Sequence, residues 1–406
     1  MAGASEINPL KRLHEEAEAE FQAYGEIEIV CTFGEPQAEY AAIRKGCAIF
    51  DAAQRGILKA TGADRIDFLN RFLTNRLADK DGKNPIAPGQ GVYAYLLNNK
   101  GRIVADMNVL ERGDCTLLET DARNAGTLKA TLEKFVFTEK VGFEELVGAK
   151  HEIGLHGPGS GEVLRSIGLD CAGMGVMESK PAAIDGIEVL VWRDDACGVP
   201  GYWLVVDSGS AAKVWMRLLT VDSVRPSPQP SPGVPGEGVS GEGEMLQESV
   251  VGKRAVRPVG WAVFNAARIE AGRALFGIDF DDSVLPAETG QLERAVSFTK
   301  GCYLGQEIVA RMHARGQVAR QIVGIRMKDD ALPIAGAAIL DDQKNQVGGI
   351  TSSTISPVLS NAAICLGMVK STFAGVGTEL RIAAEGAFRT GTVVKLPFIG
   401  EPSQGK

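Results

Sequence analysis

The chain has 406 residues and lacks the cysteine and histidine patterns that build metal centres or disulfide scaffolds. Its seven cysteines, Cys31, Cys47, Cys115, Cys171, Cys197, Cys302 and Cys365, are odd in number, widely spaced and free of any CxxC. That pattern fits reduced thiols in a cytoplasmic protein and argues against a disulfide framework or a self-contained zinc site. The four histidines, His14, His151, His156 and His313, form no HxH or HxxxH pair, so no protein-held metal is expected. No run approaches the ~20 apolar residues of a membrane span, and no membrane partner is expected. The first residues, MAGASEINPLKRLHEEAEAEF, are charged and carry no apolar h-region, which predicts no secretory signal. Positive charge is in deficit: the formal net charge is -8 and the pI about 5.3. An acidic chain is a poor nucleic-acid binder, so no direct nucleic-acid partner is expected. No solenoid-length repeat is visible.

What remains is ordinary globular composition, 45% hydrophobic and 23% charged, in a chain long enough for two or three domains. Asn8-Pro9 is an N-cap and N1 signature, and Leu10, Leu13, Ala17 and Phe21 follow at helical spacing. This predicts a helix over 9–24; Ile66, Leu69, Phe72 and Leu73 predict another over 64–78. From Gly91 the text changes to VYAYLL, NNKG, RIVADMNVL, ERGD, CTLLET, which reads as strand, turn, strand, turn, strand. A helix over 121–136 and a strand–helix–strand alternation over about 152–220 follow. Antiparallel meanders interleaved with helices predict an α+β fold rather than a doubly wound sheet. Residues 225–244, RPSPQPSPGVPGEGVSGEGE, are too poor in apolar groups to offset ordering entropy and read as a disordered insertion in a surface loop. After residue 317, short apolar runs with glycine turns predict a small β-barrel or sandwich. The expected division is therefore 1–317, holding two α+β lobes, and 318–406, holding the barrel.

Three stretches carry chemistry. In NNKGRIVADMNVL the odd positions Ile103, Ala105, Met107 and Val109 make one apolar face, and Asp106 lies on the other with Val104 and Asn108. A carboxylate in an apolar strand needs a partner: solvent or an arginine at a sheet edge, or a ligand. Residues 268–317 pass from acidic (Asp279, Asp281, Asp282, Glu288, Glu293) to basic, with Arg311, Arg315, Arg320 and Arg326 beside His313. The basic run either pairs with the acidic half or holds an anionic tail. Finally, KGCYLGQE, residues 300–307, sets Cys302 between two glycines. Lys300, Arg311 and His313 nearby would favour a thiolate; a buried inert thiol is the alternative. A lone thiol does not supply the four ligands of an iron–sulfur cluster.

KGCYLGQE resembles the signature of the YgfZ-type folate-binding proteins, bacterial relatives of the mitochondrial Iba-type iron–sulfur assembly factors, within the aminomethyltransferase (glycine cleavage T-protein) superfamily. The resemblance extends to EYAAIRKGCAIFDAAQRGILKATGADRIDFLNRFLTN, LLNNKGRIVADMNVL, RIEAGRALFGIDFDDSVLPAETGQLERAVSFTKGCYLGQE and VGGITSSTISPVLSNAAICLGMV, most of residues 38–395. It implies a three-lobed T-protein-like arrangement around a folate pocket, with a small C-terminal β-barrel. It also implies tetrahydrofolate or a derivative as the cofactor. By position, Asp106 matches the aspartate at the folate's reactive nitrogens, Tyr93 a pocket tyrosine and Arg268 an arginine near the site. Arg311 and Arg315 are the expected tail-binding pair. Lys300, Gly301, Cys302, Tyr303, Gly305, Gln306 and Glu307 make the signature, with Cys302 as the essential thiol.

The chain departs from T-proteins at Ala105, where they pair aspartates. It departs again in CGVPGYW, where Val199 replaces the glutamate that holds the pterin ring and Trp203 a second glutamate. The resemblance therefore implies a folate-binding accessory protein that supports iron–sulfur cluster assembly or repair through client or assembly proteins. Through radical enzymes that carry clusters, it would support tRNA modification indirectly. The alternative is a tetrahydrofolate-dependent aminomethyltransferase or methyltransferase working with a lipoyl-carrying partner.

Overall fold

A computed structural model describes residues 8–221, 255–316 and 318–400. The insertion expected at 225–244 lies outside the described residues. The chain begins with α1 (Lys11–Glu16), the hairpin β1 (Glu20–Tyr24) and β2 (Ile27–Thr32), and α2 (Pro36–Lys45). Then come β3 (Cys47–Asp51), β4 (Arg55–Thr61), α3 (Arg65–Phe72), β5 (Gly91–Leu97), β6 (Ile103–Glu111), β7 (Thr116–Asp121), α4 (Ala125–Glu133) and β8 (Gly142–Glu145). A second alternation holds β9 (Lys150–His156), α5 (Ser160–Ser166), β10 (Ser179–Ile184), β11 (Ile187–Arg193), β12 (Gly201–Asp207) and α6 (Ser208–Leu219). Strand β13 (Val256–Val259) leads into α7 (Trp261–Glu270), α8 (Leu292–Ala295) and α9 (Gln306–Arg315).

Two expected helices are shorter than the apolar spacing predicts. Over 9–24 only Lys11–Glu16 is helical. Glu18 takes a positive φ of 55°, and Glu20–Tyr24 pairs with Ile27–Thr32 across Gly25 at φ 64°. The hairpin pairs the backbone groups of both strands, and Ile27, Ile29 and Val30 of β2 are buried. Over 64–78 the helix stops at Phe72, because Thr74 is drawn to the neighbouring strand. Its N–H donates to Tyr95 O (3.0 Å) and its hydroxyl accepts from Tyr95 N (2.8 Å).

Strands β5, β6, β7, β4 and β8 form, in that order, an antiparallel sheet. A six-stranded sheet has the order β10, β11, β12, β9, β3, β13, parallel only between β3 and β13. Each sheet buries one face under helices. In the first, Ala105, Met107 and Val109 pack with Phe68 and Leu69 of α3 and Leu128 and Leu132 of α4. In the second, Ile153 and Leu155 pack with Val163 and Leu164 of α5 and Val214 and Leu218 of α6. Strand periodicity puts Asp106 and Asn108, and likewise Glu152 and His156, on the opposite faces. One buried carboxylate pins the N-terminus. Asp51 accepts from Asn8 Nδ2 (2.8 Å) and lies 2.9 and 2.8 Å from Nε2 of His14 and His151. Burial opposes that charge, yet the two histidines hold the carboxyl well below the usual range.

The C-terminal strands are β14 (Arg320–Met327), β15 (Ala338–Leu340), β16 (Gln346–Ser356), β17 (Ala362–Lys370), β18 (Glu379–Ala384) and β19 (Ala387–Val394). They close into an antiparallel barrel in the order β14, β17, β16, β15, β18, β19. The fold is thus α+β with a closed barrel. Hydrogen bonds to buried carboxylates dock the barrel: Asp279 accepts from Thr351 and Ser352 hydroxyls (both 2.7 Å), and Glu270 binds Arg44 on one side and accepts from the Ser356 hydroxyl on the other.

Candidate functional site

The free faces of the two sheets line a shared cavity of about 80 Å3. Strand β6 supplies its polar wall. Asp106 is buried, accepts from Tyr93 Oη (2.9 Å) with one carboxylate oxygen, and has no partner for Oδ1 among the described residues. Burial pushes the Asp106 carboxyl up, with Arg55 opposing. Two residues along, Asn108 donates to Glu119 Oε2 (2.6 Å), and Glu119 Oε1 accepts from Arg55 Nε. Asn108 Oδ1 and Gln54 Oε1 are likewise buried without partners among the described residues. Behind them Glu152 is fully buried beside Glu119; burial first, then Glu119, pushes its carboxyl well above the usual range.

The other walls are flat and apolar. Trp192 and Trp203 stack with centroids 5.9 Å apart at 17°, and Trp261, Phe264 and Phe276 extend the surface. At the mouth, Arg273 and Arg294 share a single carboxylate, Asp194 (3.0 and 3.3 Å), and Arg294 lies over the Tyr93 ring at 3.9 Å. Two guanidiniums on one carboxylate leave net positive charge there, a place for an anionic group.

The predicted residues divide. Asp106 and Tyr93 meet in the cavity. Arg268 lines it but is tied up: Nε donates to Asn265, Nη1 to Asp279 Oδ2 (2.5 Å) and Arg273 O, and Nη2 to Ser352 Oγ. Four of its five N–H groups are therefore held by the protein, and Arg268 is a tie to the barrel. The expected tail-binding run lies elsewhere. Arg311 is exposed on α9 and does not line the cavity, the Arg315 side chain lies outside the described residues, and Arg320 bonds Ser283 and pairs with Glu288. Arg320 thus follows the alternative of pairing with the acidic half. Arg273 and Arg294 take the mouth instead. Sequence reasoning missed them because neither belongs to a basic cluster; the one signal was Arg273 just after the helix-ending Gly272. Val199, at the glutamate position of the T-protein motif, packs into an apolar cluster with Trp203.

Nor does the signature bring its thiol to Asp106. Lys300 is buried; its ammonium donates to Asn70 O and Leu73 O at the C-terminal end of α3, where a cation suits the helix dipole. Burial nevertheless pulls the amine down to about 7. Tyr303 is buried in the cluster that holds Tyr93 and Tyr95. Gly305 opens α9 at φ 81°; a Cβ there would sit 2.8 Å from Asn98 O and 3.0 Å from Gly101 Cα. Gly301 lies against Lys80, and Glu307 is exposed. Gly305 thus serves a dock between the β5–β6 turn and α9, which Gln306 begins. Cys302 is left exposed on the outer surface, away from the cavity lining.

His156, on β9, packs against the cavity-lining Trp203 and Phe264. Its ring sits edge-on to Trp203 (4.9 Å) and Phe264 (5.4 Å) and in a cradle where a Cβ on Gly154 or Gly201 would come within 2.6 or 2.7 Å. Burial pushes its imidazole down to about 4, against the pull of Asp194. The folded pKa is depressed below the unfolded value, so the unfolded chain takes the proton first. Stability is full above pH ~6.5 and falls toward pH 4, by about 3 kcal/mol from this group. Urea unfolding of His156→Leu should show a flatter acid limb than wild type; an unchanged slope would refute this.

Comparison with known proteins agrees with this architecture. Residues 10–225 match the GCVT N-terminal domain, and residues 320–399 the glycine cleavage T-protein C-terminal barrel domain. The chain is 26% identical to an aminomethyltransferase of Halothermothrix orenii, over 96% of this chain and 99% of that one. It is 26% identical to an aminomethyltransferase of Synechococcus sp., over 96% and 98%. The crystal structure of glycine cleavage system aminomethyltransferase T from Bartonella henselae superposes with a TM-score of 0.81 at 23% identity, covering 97% of this chain and 98% of that one, which shows a common fold. With the N-terminal domain matched over more than half of the chain and the C-terminal barrel domain matched after it, the chain belongs to the aminomethyltransferase (glycine cleavage T-protein) superfamily.

Proposed function

We propose that the cavity binds a tetrahydrofolate and that the protein is a YgfZ-type accessory factor for iron–sulfur cluster assembly or repair. The observation that carries the folate reading is Asp106 Oδ1, an unpartnered carboxylate oxygen buried among flat aromatic walls. The donor set fits the ligand. Trp192, Trp203 and Phe264 suit a planar head, Asp106 and Tyr93 its ring nitrogens, and Arg273 and Arg294 an acidic tail. Tetrahydrofolate supplies a nitrogen that carries one-carbon units; Asp106 accepts an N–H there and steadies positive charge.

The exposure of Cys302 supports the accessory reading. A thiol that is exposed and does not line the cavity is open to a partner molecule. The second reading is folate-dependent aminomethyl transfer, which the names of the relatives favour. One pair of measurements separates them. Cys302→Ser should fold and bind tetrahydrofolate as wild type does, yet fail to restore a [4Fe–4S] dehydratase in cells deleted for the gene. Full rescue by that variant would remove the accessory role and leave transfer, with Asp106 at its centre.

A further inference from the structure

Residues 395–400, after β19, pass from the barrel to the mouth of the cavity. Helix α7 ends at Glu270, whose carbonyl faces no further helical turn, and the N–H groups of Phe398 and Ile399 both donate to it (3.0 and 3.3 Å). Two glycines let this strap lie close. A Cβ on Gly272 would meet Leu396 Cβ at 3.1 Å, and one on Gly198 would lie 3.6 Å from Ile399 Cδ1. Gly272 immediately precedes Arg273, and Gly198 belongs to the β11–β12 connection that carries Asp194 and Ala196. The strap therefore rests on the two turns whose side chains, Arg273 and Asp194, pair at the mouth (3.0 Å).

The cavity behind that mouth measures about 80 Å3, against roughly 300–1,000 Å3 for sites that hold a small molecule. A ring system enters only if part of the wall moves. Most of the wall is firmly held. Strands β6 and β11 each have a paired strand on both sides, and α7 is fixed by the buried pairs of Arg268 with Asp279 and of Glu270 with Arg44. The strap has less. Its two N–H groups share one carbonyl, Leu396, Phe398 and Ile399 are only half-buried, and Lys395, Pro397 and Gly400 are exposed. A segment with few buried contacts opens at the lowest cost.

We propose that residues 395–400 are a latch over the mouth, which lifts to admit a ligand to the cavity and closes behind it. This rests on the folate reading above for the ligand's identity and adds the element that controls access.

Three tryptophans of the cavity wall, Trp192, Trp203 and Trp261, report on it by fluorescence; Trp215 lies in the core under the second sheet and adds a constant background. Two measurements on the full chain test the latch. Acrylamide quenching without ligand reads access to the wall, and stopped-flow mixing with tetrahydrofolate under anaerobic conditions reads entry. The double variant Phe398→Ala/Ile399→Ala removes the strap's apolar hold, and Ile399→Ala removes only the contact at Gly198. Quenching should rise in both. Association scales with the open fraction, so its rate should rise about tenfold in the double variant and less in the single one. Dissociation should quicken as well, so that affinity changes less than either rate. A strap that only stabilises the fold would lower the melting temperature and move neither readout. With native circular dichroism, an association rate unchanged in both variants would overturn the latch, and if the double variant fails to fold the single one decides. Raised quenching in the variants with no tetrahydrofolate binding by any chain would overturn the folate reading and leave the latch standing.

Discussion

Asp106→Ala should lower tetrahydrofolate affinity by roughly 10- to 100-fold without loss of stability. The unpaired Oδ1 offers a charge-assisted hydrogen bond worth about 1.5–3 kcal/mol, which converts to that range. Stability should hold or rise, because burial of the carboxyl outweighs what the protein returns to it, the charge of Arg55 and one hydroxyl from Tyr93. The sign of its pH effect follows. Its folded pKa is raised, so the folded state favours the proton. Stability from this group is present at low pH and lost as pH rises through the folded pKa. Asp106→Asn should remove that dependence and retain part of the affinity. Calorimetric titration and urea unfolding across pH check both statements. Unchanged affinity in Asp106→Ala would discard the assignment of this residue to the ligand.

Arg268→Met should cost about 3–5 kcal/mol and loosen the barrel. Arg268 is 1% exposed, and its pair Asp279 is 3% exposed, with further bonds to Thr351 and Ser352 of β16. Removing one member of a buried ion pair strands the other charge where water cannot reach it. Met keeps the apolar stem in place, so the loss reports the charge rather than a cavity. Differential scanning calorimetry should show a lower transition, and limited proteolysis should cut near residue 318 first. The same variant asks whether Arg268 touches the ligand. A loss of folate affinity with stability unchanged would make it a ligand contact and refute its role as a tie.

Local chemistry carried much of the architecture. The alternation in Ile103–Val109 placed Asp106 opposite the core face because side chains on a strand repeat every two residues. Asn98–Gly101 made a turn because Asn98 accepts from the backbone of Lys100 and Arg102 and Gly101 tolerates φ 71°. The short strands after 317 closed into a barrel. Where a local pattern competed with a distant partner, the partner won: Phe21 lies at helical spacing but pairs in a hairpin, and Thr74 leaves α3 for Tyr95.

The site was legible only in part, and for the same reason. Asp106 and Tyr93 stand on adjacent strands of one meander, so short-range periodicity brings them together. Gln54, Glu119, Trp192, Asp194, Arg273 and Arg294 come from separate elements of both sheets and the helical connection, and no spacing in the chain links them. By itself the sequence determined the strands, the turn and the apolar and polar faces, because those depend on neighbours a few residues away; it left barrel and sandwich open, since closure pairs β14 with the distant β19. Tertiary structure alone decided that Arg273 and Arg294 rather than Arg311 hold the mouth, that Arg268 is a tie, that Asn108 donates to Glu119 and that Cys302 is exposed. Hydrogen bonds and burial act through space, and which groups are left without partners is known only once every element has been packed.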